Sequence, residues 1–211
     1  MVERTRVPSA DLPRFWTDLE CRYKPHWPRF RVGSRDTSGL TEWLARAGYR
    51  CERTETVMVL DLPMPRGFVE EQARTVHEVD TPTGLNQIIH LDHLVFKDPI
   101  LDADGLAQEL KRLGNDRRLF FIPGVGDLAW AAGGISLFPR WALLWGGETH
   151  PDYRHQGFYR QVLKARLQIL HPEKTEFVAV IADDSTSMPI LDKIGFRAIG
   201  QATVWAPHEH P

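Results

Sequence analysis

Between positions 148 and 160 the chain reads Glu148-Thr149-His150-Pro151-Asp152-Tyr153-Arg154-His155-Gln156-Gly157-Phe158-Tyr159-Arg160, a strand end passing through a turn into a helix whose first turn holds a glycine between arginines. Residue types at this spacing suit one chemistry, the holding of phosphate. A helix start leaves backbone N–H groups unpaired and carries a partial positive charge, and a glycine lets an anion come close to the main chain. A basic turn before an ordinary helix would read the same way in isolation, so the neighbouring elements decide.

Those elements form a crossover unit. Upstream, residues 140–147 are a largely apolar run of strand length, and downstream Phe158, Val162, Ala165 and Ile169 recur at helical spacing until His171-Pro172 ends the helix. Residues 177–182 are continuously apolar, as in a strand buried on both faces. Strand, helix, strand implies two parallel strands with the phosphate loop at the carboxyl end of the first. A further segment, Asp184-Ser185-Thr186-Ser187-Met188-Pro189-Ile190-Leu191-Asp192-Lys193-Ile194-Gly195-Phe196, follows at once.

The two segments together resemble the Gcn5-related N-acetyltransferase (GNAT) superfamily. Its acetyl-CoA signature is Gln/Arg-x-x-Gly-x-Gly/Ala, matched at Arg154 and Gly157, and its closing helix reads Asn-x-x-Ala…Leu-Tyr-Glu-Lys-Leu-Gly-Phe. Tyr159 stands where the family has Gly or Ala, and Leu191 where it has Tyr. Two motifs in the right order, joined by the right elements, arise by accident far less readily than either one.

The resemblance implies an α/β class with a mixed sheet, the acyl-CoA N-acyltransferase fold, and direct transfer of an acetyl group from acetyl-CoA to an amine. It implies that backbone groups of Arg154, His155, Gln156, Gly157, Phe158 and Tyr159 hold the pyrophosphate. Gly147 and Thr149, at the end of the preceding strand, serve pantetheine and the acetyl oxygen, and Ser187 joins the cofactor-binding set. For the base, Glu148 is the nearest carboxylate at the strand end and His150 the next candidate, its imidazole suited to neutral pH. Whether Glu148 faces the site depends on strand parity, which a bulge at Gly146-Gly147 would reverse. With Leu191 in the tyrosine's place, the leaving thiolate takes its proton from water, Tyr153 or Tyr159; alternatively the chain is a non-catalytic acyl-CoA-binding or regulatory module. A Rossmann-type nucleotide binder has no support, because the chain contains no Gly-x-Gly-x-x-Gly.

The rest of a transferase domain over residues 67–211 follows the same order. Residues 73–79 suit a first strand; Thr81-Pro82 starts a helix carrying Leu85, Ile88, Ile89 and His93 on one face. Asp102 or Asp104 starts a second helix closed by Gly114, and residues 118–122 and 128–137 pair as strands. Asp183 and Asp184 are expected to cap the last helix. Residues 1–66 form an N-terminal extension with its own helix and strand over 40–63. Its Leu44-x-x-Ala47-Gly48-Tyr49 looks like a worn copy of the Leu191–Phe196 ending, so the extension is either a truncated repeat of the same fold or a plain helix–turn–strand with Gly48 after the helix. Met64-Pro65-Arg66-Gly67 is the expected linker.

Composition narrows the function classes. In 211 residues, 42% apolar and 26% charged content is ordinary for a globular protein. A net charge of −2 gives no bulk attraction to nucleic acid or to an anionic membrane. Cys21 and Cys51 are too few for a disulfide framework, the first residues lack the apolar stretch of a signal peptide, and no apolar run reaches the ~20 residues of a membrane span, so a cytoplasmic protein is expected. His90 and His93 lie three apart on a helix, where a solvated face is preferred to a metal site. His208-Glu209-His210 reads as a frayed tail. Trp130, Trp141 and Trp145 belong to the core or line an acceptor pocket. The acceptor is a small-molecule or peptide amine, and a strand edge at residues 203–206 offers a route to a homodimer.

Overall fold

A computed structural model describes residues 2–3, 6–23, 28–63 and 76–208. In chain order the elements are β1 (Val2–Glu3), α1 (Leu12–Tyr23), β2 (Phe30–Gly33), α2 (Leu40–Arg46), β3 (Tyr49–Asp61), β4 (His77–Glu78), α3 (Pro82–Phe96) and α4 (Ala103–Arg112). They continue with β5 (Arg117–Pro123), β6 (Ala129–Leu137), β7 (Trp141–Thr149), α5 (Phe158–Gln168), β8 (Phe177–Asp183), α6 (Met188–Asp192) and β9 (Arg197–Pro207). Two compact units result, one of residues 1–58 with 181–211 and one of residues 59–180.

In the first unit the strand order is β1-β2-β9-β3. Strand β9 is antiparallel to β2, with Phe30 opposite Trp205 and Gly33 opposite Ala202. Its alternate residues Ala202, Val204 and Ala206 are buried, as one core face of a strand requires. The edge expected at residues 203–206 is therefore an interior strand, already paired, and cannot serve a partner. Leu12, Phe30, Leu40, Leu44 and Tyr49 form the core, with the Trp16 ring edge-on to Trp43 at 4.7 Å. Helix α2 runs out at Ala47, and Gly48 turns the chain into β3 at φ +83°, which a side chain resists. The caps of α6 differ from expectation. Asp183 accepts hydrogen bonds from the N–H groups of Ser185 and Thr186 in the preceding turn, Asp184 accepts one from the Thr56 hydroxyl at 2.6 Å, and α6 starts after Ser187 without a side-chain cap.

Because β2 and β3 flank β9, deleting residues 1–66 removes both of its neighbours and most of this core. The expected product is insoluble or molten, read by loss of near-UV circular dichroism and by dye binding to exposed apolar surface. A soluble fragment with a cooperative melt would overturn this.

In the second unit the order is β8-β7-β6-β5-β4; β7 and β8 are parallel and the other pairs antiparallel. Thr81 caps α3 by accepting from the Gly84 N–H, with Pro82 in the first turn, and Asp102 rather than Asp104 caps α4 through the Gly105 N–H at 2.8 Å. Leu85, Ile88 and Ile89 of α3 pack on Leu119, Phe121 and Ala132 of the sheet. His93 does not join that face; it is exposed, and its Nδ1–H donates to the Asp98 carbonyl at 2.8 Å. The buried face of α5 is Val162, Leu163, Arg166 and Leu167. That stripe is rotated from the expected Phe158, Val162, Ala165, Ile169, because the Arg166 side chain is buried with it. Of the first strand only His77–Glu78 is seen; residues 73–75 and the linker at 64–67 lie outside the described residues.

Candidate active site

Strand β7 is where the second unit departs from regular pairing. Its parallel ladder to β8 runs from Trp141 opposite Phe177 to Leu144 opposite Val180 and ends there. On its other side Gly134 of β6 pairs with Trp145 and Ala132 with Glu148, so β7 spends one residue more than β6 over this stretch. The extra residue is a bulge at Gly146, which takes φ +58°. Parity flips as a result. Trp145 packs with the α3 cluster and Glu148 meets Asp92 of α3, although regular alternation would put residues three apart on opposite faces. Gly147 faces α5 instead: a Cβ there would stand 3.1 Å from the Tyr159 ring. Thr149 follows with a buried hydroxyl oxygen that has no hydrogen-bond partner.

The turn from β7 into α5 holds the other predicted residues together. His150 accepts the Asp152 N–H on Nδ1 at 3.2 Å, capping a short 3-10 helix over Pro151–Tyr153. The Arg154 Nε–H donates to the Thr149 carbonyl at 3.4 Å. His155 and Gly157 both take left-handed conformations, at φ +63° and +84°, and Gly157 precedes α5 with no side-chain cap, so its first-turn N–H groups are left for a ligand or water. Gln156 and Phe158 flank Gly157; the Phe158 ring and the Tyr153 ring stack on Trp130 at 5.5 and 4.9 Å. Ser187 is the remaining cofactor-binding candidate. It belongs to the first unit, where its hydroxyl accepts the Asp183 N–H at 3.0 Å.

Glu148 is 4% exposed, and no donor reaches either carboxyl oxygen. Its polar neighbour is Asp92. Burial above all, and then the charge of Asp92, push the Glu148 carboxyl far above the ordinary carboxylate range; burial likewise raises Asp92. Each carboxyl therefore holds its proton more tightly than a solvated one. Sequence reading missed Asp92, though the signal was present. It stands at the helical spacing that continues Leu85, Ile88 and Ile89, yet attention went to the imidazoles on either side. Among the described residues no group of three His, Cys, Asp or Glu side chains could hold a metal.

Beneath the bulge lies a second feature invisible in the motifs. Arg166 is 1% exposed, and its guanidinium donates to the carbonyls of Gly134 at 3.3 Å, Trp145 at 3.5 Å and Val162 at 3.4 Å. Tyr159 lies against it, its hydroxyl pushed up by burial. Space explains the glycine at 133, since a Cβ there would come within 2.7 Å of the Arg166 guanidinium carbon. Tyr159 and Arg166 thus occupy the space that Gly133 and Gly147 leave open. Leu191 is fully buried in the first unit, so a tyrosine there would overpack the core.

No protein-family model and no curated protein matches the chain. Solved structures do. A GCN5-related N-acetyltransferase from Kribbella flavida is 14% identical over 98% of this chain and 79% of its own, with a TM-score of 0.63. One from Sphaerobacter thermophilus is 13% identical over 93% and 68%, at 0.62. A tandem GNAT protein from the clavulanic acid biosynthesis pathway is 17% identical over 96% and 71%, at 0.56. At these identities the likeness is one of fold: the chain has the GNAT fold, an α/β architecture with a mixed sheet.

Proposed function

We propose that the chain is an N-acyltransferase that moves an acetyl group from acetyl-CoA directly to an amine. The observation that supports this is the buried Glu148–Asp92 pair, turned towards α3 by the Gly146 bulge where the β7–β8 ladder has just ended. The amine nitrogen attacks the thioester carbonyl carbon; the N–C bond forms as the C–S bond breaks. The nitrogen's proton passes to the carboxyl pair, whose raised proton affinity suits an alkylammonium donor. The sulfur leaves as thiolate and takes a proton from water or the Tyr159 hydroxyl. Residues fit the cosubstrate where they can be tested: the orphaned Thr149 hydroxyl and the open space beside Gly157 lie along the route from strand end to helix start. No metal has a role in this scheme. Residues 1–66 act as a structural extension of the transferase residues 67–211, and the enzyme works in the cytoplasm on a small-molecule or peptide amine.

The expected result is that millimolar CoA or acetyl-CoA raises the melting temperature, by roughly 5 to 10 °C at a hundredfold excess over Kd. Free thiol then appears when acetyl-CoA is offered with a panel of amines. A shift without thiol release from any amine would mark a binding module, and no shift at all would overturn the proposal.

A further inference from the structure

A cavity of about 310 Å³ opens between α3, the start of α4's approach and the sheet, walled by Ile88, Ile89, Leu101, Leu113 and Trp145 and reaching Gly146 at the bulge. Its charged groups are segregated. Asp92 and Asp98 stand at the end nearest Glu148, whose two oxygens have no partner although the residue is 4% exposed. Glu109 also lines the cavity, but its carboxylate is paired with Arg112. At the far end is Arg117, whose guanidinium lies 4.0 Å over the Trp145 ring and whose buried Nε–H donates to nothing among the described residues. A buried donor left unpaired is unfavourable unless a ligand supplies the acceptor.

Strand register sets the distance between the ends. Glu148 pairs with Ala132 and Arg117 with Ser136, four residues apart on β6 or about 13 Å. Because the guanidinium leans over Trp145, which pairs with Gly134, the two poles are roughly 10 Å apart. We infer that the acceptor is a linear amino carboxylate, its ammonium at Asp92 with Glu148 behind it, its apolar chain along Ile88 and Trp145, and its carboxylate on Arg117. This rests on the transferase reading for what happens to the amine, but not for the binding itself.

Calorimetric titration without CoA tests it. The ω-amino acid of octanoic acid spans the poles; octylamine lacks the carboxylate, and γ-aminobutyrate is too short. The amino-octanoate should bind wild type at least tenfold more tightly than either, the scale of one charge-assisted hydrogen bond. Arg117→Gln should erase its advantage over octylamine, and Arg117→Lys should restore part of it. Asp92→Asn should weaken amino-octanoate and octylamine alike, which keeps the test alive should the Gln variant fail to fold. Octylamine binding as tightly as amino-octanoate to wild type would overturn the inference. Thiol release with other amines while amino-octanoate neither binds nor reacts would overturn it and leave the transferase standing. Arg117-dependent binding with no thiol release from any amine would support the cavity assignment and sink the transferase.

Discussion

Replacing Glu148 by glutamine is expected to lower kcat/KM by roughly 10²- to 10⁴-fold and, at the same time, to make the protein more stable at neutral and alkaline pH. The two effects share one cause. In the unfolded chain a glutamate gives up its proton in the ordinary carboxylate range, whereas burial and Asp92 make the native carboxyl keep it to far higher pH. Over the window between, the unfolded state binds fewer protons than the native one, so wild-type stability falls as pH rises, by at most about 1.4 kcal/mol per pH unit. The glutamine side chain is neutral throughout and loses that slope. It also leaves Asp92, raised by burial first and by the charge of Asp98, as the one ionisable carboxyl of the pair, so the site can no longer pass a proton between two carboxyls. Denaturant unfolding at pH 5, 7 and 9 should therefore show the curves diverging upward in pH, with the variant ahead. A pH–rate profile should show a rise on the alkaline side in wild type that the variant lacks. Parallel stability curves, or equal kcat/KM, would remove Glu148 from proton handling and leave the ring of His150, already engaged with the Asp152 N–H, as the next candidate.

What could be read in the sequence was whatever a local pattern specifies. Thr81-Pro82 and Asp102 announce helix starts because a side-chain oxygen and a backbone N–H three residues on are enough to form the cap. Gly157 announces a left-handed turn for an equally local reason. The Gly146-Gly147 pair even raised the bulge, but only the pairing partner on β6 shows that an extra residue is inserted there. Residues that depend on a distant neighbour stayed hidden. Arg166 looks like a solvated helix position until Gly133 and Gly147, far away in sequence, are seen to leave a hole of its size. Asp92 becomes chemical only against Glu148, and Arg117 only against Trp145. Asp184 looks like a cap because helix termini favour such residues; Thr56, over a hundred positions upstream, is the partner that claims it. The strand at residues 203–206 looks like an edge for the same reason, since nothing in its own sequence reveals β2 beside it.

Gly157→Val should abolish the melting-temperature gain from CoA while leaving a folded protein. At φ +84° a Cβ is strained whatever surrounds it, roughly 1–2 kcal/mol for an L-residue, and a β-branched side chain adds to that. An added Cβ meets no protein atom within 4 Å, so the substitution clashes with nothing in the fold itself. The loss of ligand response would then come from the side chain standing in the anion's path at the α5 start, or from the loop leaving its left-handed turn. Gly157→Asn separates the two, because asparagine tolerates this region of backbone space yet still projects a side chain. If crowding dominates, Asn should lose most of the response with little change in the ligand-free melt. If conformation dominates, Asn should keep most of it and Val alone should fail. Wild type at a hundredfold excess of CoA over Kd should gain about 2.7 kcal/mol, which makes a complete loss easy to resolve by scanning fluorimetry. A Val variant with the full wild-type shift would show that CoA, if it binds, does not use the helix start, and the phosphate assignment of Arg154 to Tyr159 would fall with it.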